Sequence, residues 1–345
     1  MSRRESIKLK VLRPIDIENC ENVSDILNYM SQASFGGRSV GKAWSTLRNI
    51  VDDPNCALIL TISGAMTVAK LGRIFGSLIS RSIVKAVITT GAVVTHSFVE
   101  ELGMNHYKVP IKLSDKELYA LKLNRVYDSI EPESNLVALE KFACKVFSKL
   151  NPENGYGSFE IIRHLADEMI KGKKPDGFLG AANTHCVNVY VPALSDSELG
   201  LYLFRYSKHS KQSTKNNIIY DPFKDLSEYS RWLCRQKRIA FLTLGGGSPR
   251  NWGQQMLPFL KTQKKAGELH SKDNIPEVAA AIRICPDPAE LGHLSGATYS
   301  EGITWGKFEA KNDDHFVEIQ CDATIVFPIL AKLLCDYVDQ KANKR

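Results

Sequence analysis

One unit recurs along this chain and restricts its fold more than any other feature. A continuous apolar, β-branched run ends in small or polar residues, and a helical pattern of apolar positions follows. ALILTISGAMTVAKLGRIFGSLI begins at Ala57 and AVITTGAVVTHSFVEEL at Ala86. VNVYVPALSDSELGLYLF follows from Val187, IAFLTLGGGSPRNWGQQMLPFL from Ile239 and FVEIQCDATIVFPILAKLLCDYV from Phe316. Strands that are apolar on both sides belong in a parallel sheet covered by helices above and below. The expected class is therefore α/β. Such sheets take their ligands beyond the carboxyl ends of the strands. Here those ends carry Ser, Thr, Gly and Asp, more small polar residues than turns alone require.

Residues 1–50 read as an N-terminal helical extension, on the periodicity of VSDILNYMSQASFGG and VGKAWSTLRNIV. Residues 51–345 read as one large domain, with 113–174 mostly helical around the turn NPENGYGS. Charged residues are 24% of the chain, which excludes global disorder. The eight cysteines form no CxxC pair and no Cys/His metal spacing, so neither a disulfide framework nor a structural zinc is expected, and the compartment is a reducing one. The basic start MSRRESIKLKVLRP lacks a secretory apolar core, and no apolar run is long enough to span a membrane. A cytoplasmic protein is expected. The formal net charge is +7, part of it in the Lys-rich stretch YSKHSKQSTKNN at 206–217. Only Tyr206 accompanies those bases, so the stretch reads as a solvated insertion or a lid rather than a nucleic-acid surface.

Six stretches could carry chemistry. In LTLGGGSPRNW, three glycines after a strand let a ligand approach the backbone, Ser248 can N-cap the next helix and Pro249 fits its first position. Such a helix start favours an anion, and a plain tight turn is the competing reading. ISGAM and TTGAV bring Ser63, Thr67, Thr90 and Gly91 to two further strand ends. Asp196 and Asp322 either cap helices or accept from ribose hydroxyls. In SEGITWGKFEA, Lys307 follows Trp305 and Glu301. A lysine attacks a carbonyl or imine only when neutral, and an indole wall would desolvate it, whereas Glu301 could pair an amine. His96 and His293 could face the cleft or serve as hydrogen-bonded structural residues. GxSxG, HExxH and Walker A stretches are absent.

These residues, in this order, resemble deoxyhypusine synthase, and more closely its bacterial deoxyhypusine-synthase-like branch. The likeness runs from about residue 30 to 340 and is carried by SGAMT, TTGA, VYVPALSDSELG, LGGGSPRN, LSGATYSEGITWGK and DATIVFP. It implies a Rossmann-like parallel sheet with helices on both faces, and a homotetramer with NAD-containing sites at subunit interfaces. It implies oxidation of spermidine or a related polyamine, capture of the aminobutyl group as an imine on Lys307, and transfer to an acceptor amine. Trp305 matches the tryptophan that packs on the substrate, and Glu301 the glutamate that binds its amine. Ser63, Thr67, Thr90, Gly91, Asp196, Gly246, Gly247, Gly292, Ser295, Asp322 and Ala323 match positions along NAD. The chain departs from the family at Leu201 and Leu294, where aspartates are usual, at Asn251 on the substrate side, where histidine is usual, and at His96, where a glutamate is usual. A small polyamine product such as homospermidine fits better than modification of a lysine on translation factor five, since that protein acceptor belongs to eukaryotes and archaea. Authentic deoxyhypusine synthesis on that protein acceptor and an idle NAD-binding scaffold are the alternatives.

Overall fold

The computed structural model describes residues 10–110, 112–172, 177–209, 218–270 and 272–344. Six of its strands form one sheet: β1 (Cys56–Ile62), β2 (Val84–Thr89), β3 (Val189–Tyr190), β4 (Arg238–Leu244), β5 (Glu277–Ile284) and β6 (Phe316–Ile319). Their order is β6-β5-β4-β1-β2-β3, and every neighbouring pair is parallel. This is the doubly wound, Rossmann-like order, in which the chain builds outward from β1 and then restarts beside it at β4.

Alternation along each strand divides the core. In β1, Leu58, Leu60 and Ile62 enter one buried cluster, whereas Ala57 and Ile59 enter the other. Helices α1 (Val23–Gln32), α2 (Phe35–Asp52), α3 (Gly72–Ser80) and α4 (Gly91–Glu101) lie on the first face. Helices α5 (Glu133–Phe147), α6 (Ser158–Met169), α7 (Phe178–Thr184) and α8 (Glu198–His209) also supply that cluster. The other face is covered by α9 (Pro222–Cys234) and α10 (Gly247–Ala266), and the short α11 (Tyr299–Thr304) adds Tyr299 to it. The last helix, α12 (Ala323–Asn343), returns to the first face. Each fully buried Leu, Ile or Phe contributes about 1.5–3 kcal/mol, so a sheet buried on both sides dominates the stability.

Register then positions the site. Thr89, Ile62, Leu244, Ile284 and Ile319 are successive partners across the sheet. The residues that follow them (Thr90, Ser63, Gly245, Cys285 and Gln320) consequently leave along one edge. Helices α3 and α10 depart from β1 and β4 to opposite faces, which opens a crevice between those two strand ends.

Two expectations are refined by the structure. The N-terminal helices form, but the boundary at residue 50 falls within α2, whose Ala43, Trp44, Leu47 and Ile50 belong to the main core. Residues 113–174 are not uniformly helical: Leu123–Val126 and Ser129–Pro132 pair as an antiparallel hairpin, joined by Tyr107–Lys108. Alternating residues in NRVYDSIE and a positive φ at Tyr127 suit a tight turn better than a helix. Of the Lys-rich stretch, α8 takes residues to 209, Tyr206 packs against Phe147, and 210–217 lie outside the described residues. All eight cysteines are unpaired. Among the described residues, no helix is long and apolar enough to cross a membrane.

Candidate active site

The crevice is stitched by Ser63. Its Oγ accepts from the Gly246 N–H at 2.9 Å, and its own N–H donates to the Leu244 carbonyl at 3.1 Å. The glycine turn after β4 is thereby tied to the end of β1. Gly245 has φ +77, and a Cβ there would strike the Ser63 hydroxyl. Gly246 has extended backbone, but a Cβ on it would lie 2.6 Å from Ser295 Cα. The glycines are required for close approach, in addition to any ligand they admit.

The expected cap at Ser248 does not form. Helix α10 starts at Gly247, with Gly246 as N-cap, so Ser248 and Pro249 occupy its first turn. They line a cavity together with Ser63, Thr90, Gly91 and Asp196. A helix leaves its first N–H groups without intrahelical acceptors, and the start of α10 borders this cavity. Thr90 N-caps α4, accepting from Val93 N–H at 3.3 Å and donating to the Gly64 carbonyl at 2.9 Å. Gly91 admits Ser197, which a Cβ would strike.

The two aspartates part company here. Ser197 accepts from the Gly200 N–H at 3.2 Å and so takes the capping role at α8, which leaves the exposed Asp196 carboxylate at the cavity. Asp322 is itself a cap, accepting from Thr324 N–H at 2.7 Å, and Ala323 is buried behind it. Thr67 is also buried, its hydroxyl donating to the Val93 carbonyl at 2.9 Å. Thr67, Asp322 and Ala323 do not line this cavity.

Lys307 stands in a second cavity, lined by Arg250, Asn251, Leu294, Glu301 and Trp305 among others. Sequence explains its placement. Gly306 has φ +70, and N–H groups of Gly306 and Lys307 return to the carbonyls of Ile303 and Gly302, a Schellman closure of α11. The glycine between Trp and Lys thus reverses the chain and sends Lys307 back toward α10. There Nζ donates to Asn251 Oδ1 at 2.8 Å, and Asn251 donates in turn to Gln255 at 3.1 Å. Burial and the neighbouring Arg250 lower the Lys307 pKa, against an opposing pull from Glu301. Trp305, expected to wall off this lysine, is 66% exposed. Within one chain the indole borders the cavity without sealing it.

A buried ionic frame supports this second cavity, and sequence reading missed it. Arg250, 4% exposed, donates to the Ala297 carbonyl at 2.7 Å and lies over the Tyr299 ring. Arg283 on β5 donates to the Ser295 carbonyl and, at 2.7 Å, to Glu318 on β6. Glu318 also accepts from the Tyr299 N–H at 2.7 Å. The segment 295–299 therefore hangs from three charges. Nearby, Gly292 closes a short 3-10 turn at φ +70, the Ser295 hydroxyl donates to Asp287, and His293 is exposed. An arginine within AAAIRICP and a glutamate within FVEIQ were the available signals, since a charge inside an apolar strand needs a partner.

A family model for deoxyhypusine synthase matches residues 25–334, nearly the whole chain. The chain belongs to the deoxyhypusine synthase family. "Probable deoxyhypusine synthase 2" of Methanosarcina mazei is 28% identical over 322 residues, covering 93% of this chain and 88% of that one. "Deoxyhypusine synthase-like protein" of Coxiella burnetii is 25% identical over 333 residues, covering 96% and 90%. The fold also matches the crystal structure of a candidate deoxyhypusine synthase from Entamoeba histolytica, with a TM-score of 0.58 and 12% identity over 93% of this chain and 96% of that one.

Against the deoxyhypusine synthase pattern, the departures fall in distinct places. Leu294 lines the Lys307 cavity and keeps 48% of its surface exposed. Leu201 is exposed on α8. Asn251 is the hydrogen-bond partner of Lys307. His96 lines neither cavity and is hydrogen-bonded to Glu131.

Proposed function

We propose that this member of the deoxyhypusine synthase family is an NAD-dependent aminobutyl transferase that takes spermidine or a related polyamine as donor and works through an imine on Lys307. The observation that carries this reading is the pairing of a half-buried lysine of lowered pKa with a carboxylate, Glu301, in a cavity one residue along α10 from the β1–β4 crevice. The crevice residues suit a dinucleotide. Asp196 offers a carboxylate for ribose hydroxyls, Ser63 and Thr90 line the floor, and the start of α10 suits a pyrophosphate.

When bound, NAD supplies reversible hydride acceptance at the donor's amine-bearing carbon. Glu301 holds the donor's ammonium group beside Lys307. The neutral Nζ, positioned by Asn251, adds to the oxidised carbon and displaces the remaining diamine, so that the aminobutyl group is held as an imine. An acceptor amine then displaces Lys307 and takes the group as a new imine, whose reduction to the amine product would return the hydride first taken from the donor. Desolvation and the Arg250 charge favour the neutral form that the attack needs.

Leu294 beside a single carboxylate favours a small amine as acceptor, with homospermidine as a product, over a lysine of a translation factor. Exposed Leu201, Phe204, Leu291, Leu294 and Trp305 support a homotetramer in which a neighbouring copy covers this edge. Incubation with NAD, labelled spermidine and borohydride tests the reading. A covalent adduct is expected with the wild type and none with Lys307→Ala. Absence of any adduct leaves an NAD-binding scaffold. Adding putrescine or a translation-factor precursor then locates the acceptor.

A further inference from the structure

Apart from the two cavities, three residues far apart in sequence converge on one point. His96 lies in the second turn of α4, His106 follows that helix, and Glu131 is on the Ser129–Pro132 strand. Glu131 Oε2 is 2.6 Å from His106 Nε2 and 3.1 Å from His96 Nδ1, and the two ring nitrogens are 3.3 Å apart. Their side chains are 1%, 2% and 10% exposed, respectively. No spacing motif announces the group, because only the hairpin brings Glu131 back onto α4.

We infer that His96, His106 and Glu131 form a binding site for one divalent transition-metal ion of the zinc class. Two imidazoles and a carboxylate are the donor set that such an ion takes while keeping one position open for water. The surroundings are those of a ligating carboxylate. The second oxygen, Oε1, accepts from Asn135 Nδ2 at 2.7 Å, and that amide is also held by the Asn105 carbonyl at 3.0 Å. Bonds of about 2.0–2.1 Å at tetrahedral angles separate ligand atoms by roughly 3.3 Å. Two of the three separations are already close to that, and the third needs to open by under about 1 Å.

Lys70 makes this a two-state site. Its Nζ is 3.0 Å from His106 Nδ1, and an ammonium can only donate. That contact keeps the Nδ1 lone pair occupied and the ring proton on Nε2, directed at Glu131. An entering ion takes the His106 Nε2 and His96 Nδ1 lone pairs, so the His106 proton must move to Nδ1, the His96 proton, now directed at Glu131, must move to Nε2, and Lys70 must turn away. A destination is at hand: Glu100 lies 3.7 Å from Nζ, and the lysine side chain is half exposed. Each imidazole keeps one proton throughout, and the ion replaces a buried hydrogen-bond hub by three coordinate bonds. The site would pin the middle of α4, the helix capped by Thr90 at the crevice, to the small antiparallel sheet. It does not depend on the reaction proposed above.

Titration of the chelator-treated full-length chain with zinc chloride, followed by calorimetry, tests this. One saturable site per chain is expected, absent in Glu131→Gln and in His106→Ala. Asn135→Ala should weaken it by about 10–100-fold. Lys70→Ala, at a half-exposed position that should not threaten folding, should bind zinc several-fold more tightly because the competing ammonium is gone. Cobalt(II) at the same site should give visible absorption bands, lost in Glu131→Gln, for which circular dichroism reports folding. No saturable binding in the wild type, equal binding in Glu131→Gln, or affinity unchanged or lowered in Lys70→Ala overturns the inference.

Discussion

The two cavities at the carboxyl edge of the sheet are built in opposite ways. The one between β1, β2 and α10 is made of short side chains and turns: Ser63, Thr90, Gly91 and the first turn of α10, with a single carboxylate at Asp196. The one around Lys307 is made of long charged side chains, and its wall is suspended from Arg250, Arg283 and Glu318. The first is a product of strand register and tolerates change outside its rim. The second is an electrostatic assembly: burial and then Arg250, which also holds the wall, push the lysine toward its neutral form. The loss of all trapping in Lys307→Ala, on the order of 10³-fold or more in transfer, is the largest effect expected at either.

Removing one member of the frame should damage structure and chemistry together. Glu318→Ala leaves Arg283 buried with its charge uncompensated and frees the Tyr299 N–H. A loss of about 3 kcal/mol is expected in urea unfolding, toward the low end of the range for broken buried pairs because Glu318 is partly exposed. Trapping should fall with it, since residues 295–299 lose two of their supports. Stability within about 0.5 kcal/mol of the wild type would show that the frame is not what holds this wall.

The opposite pattern is expected at the other cavity. Asp196→Ala removes a carboxylate that caps nothing, so unfolding should barely change. Binding of NAD, followed by its fluorescence or by calorimetry, should weaken by roughly 10–100-fold, the worth of a hydrogen bond to a charged group. A destabilised protein with unchanged NAD affinity would remove Asp196 from the crevice.

Gly246 is where the comparison can be broken. Its N–H is tied to the first cavity through Ser63, and its missing Cβ makes room for Ser295, in the segment that walls the second. Gly246→Ala should therefore cost about 1–3 kcal/mol in stability and lower both NAD affinity and trapping. Damage to one function alone would show the cavities to be independent.

What was legible in the sequence follows the same division. Parallel strands are dictated by local apolar runs, and residues after them reach the edge by register alone, so Ser63, Thr90 and Gly91 could be placed without knowing any long-range contact. The choice between capping and ligand roles for Asp196 and Asp322 could not be made, because both precede a helix. It turns on whether Ser197 takes the cap, which is a matter of atomic geometry. The Arg283–Glu318 pair joins two strands, and Arg250 meets Ala297 across 47 residues, so neither pairing has a local pattern. Trp305 was read as a wall because it adjoins Lys307 in sequence. Both side chains border one cavity, but the left-handed turn at Gly306 sends Lys307 back toward α10 while the indole stays exposed.

The smallest effect is also the most direct probe of the second cavity's electrostatics. Lys307 has its pKa lowered by burial and by Arg250, and raised by Glu301. Only the neutral amine is nucleophilic and half the lysine is neutral at its pKa, so the rate of adduct formation with a simple aldehyde should reach half its plateau below pH 10.5, the ordinary lysine value. Glu301→Gln removes the one contribution that favours the ammonium form. The midpoint should therefore move further down, by less than about one pH unit at a solvent-exposed carboxylate. Binding of a polyamine should weaken in the same variant. A midpoint that moves upward, or a wild-type midpoint at or above 10.5, would mean that the charges around this cavity do not act on the lysine as the geometry requires.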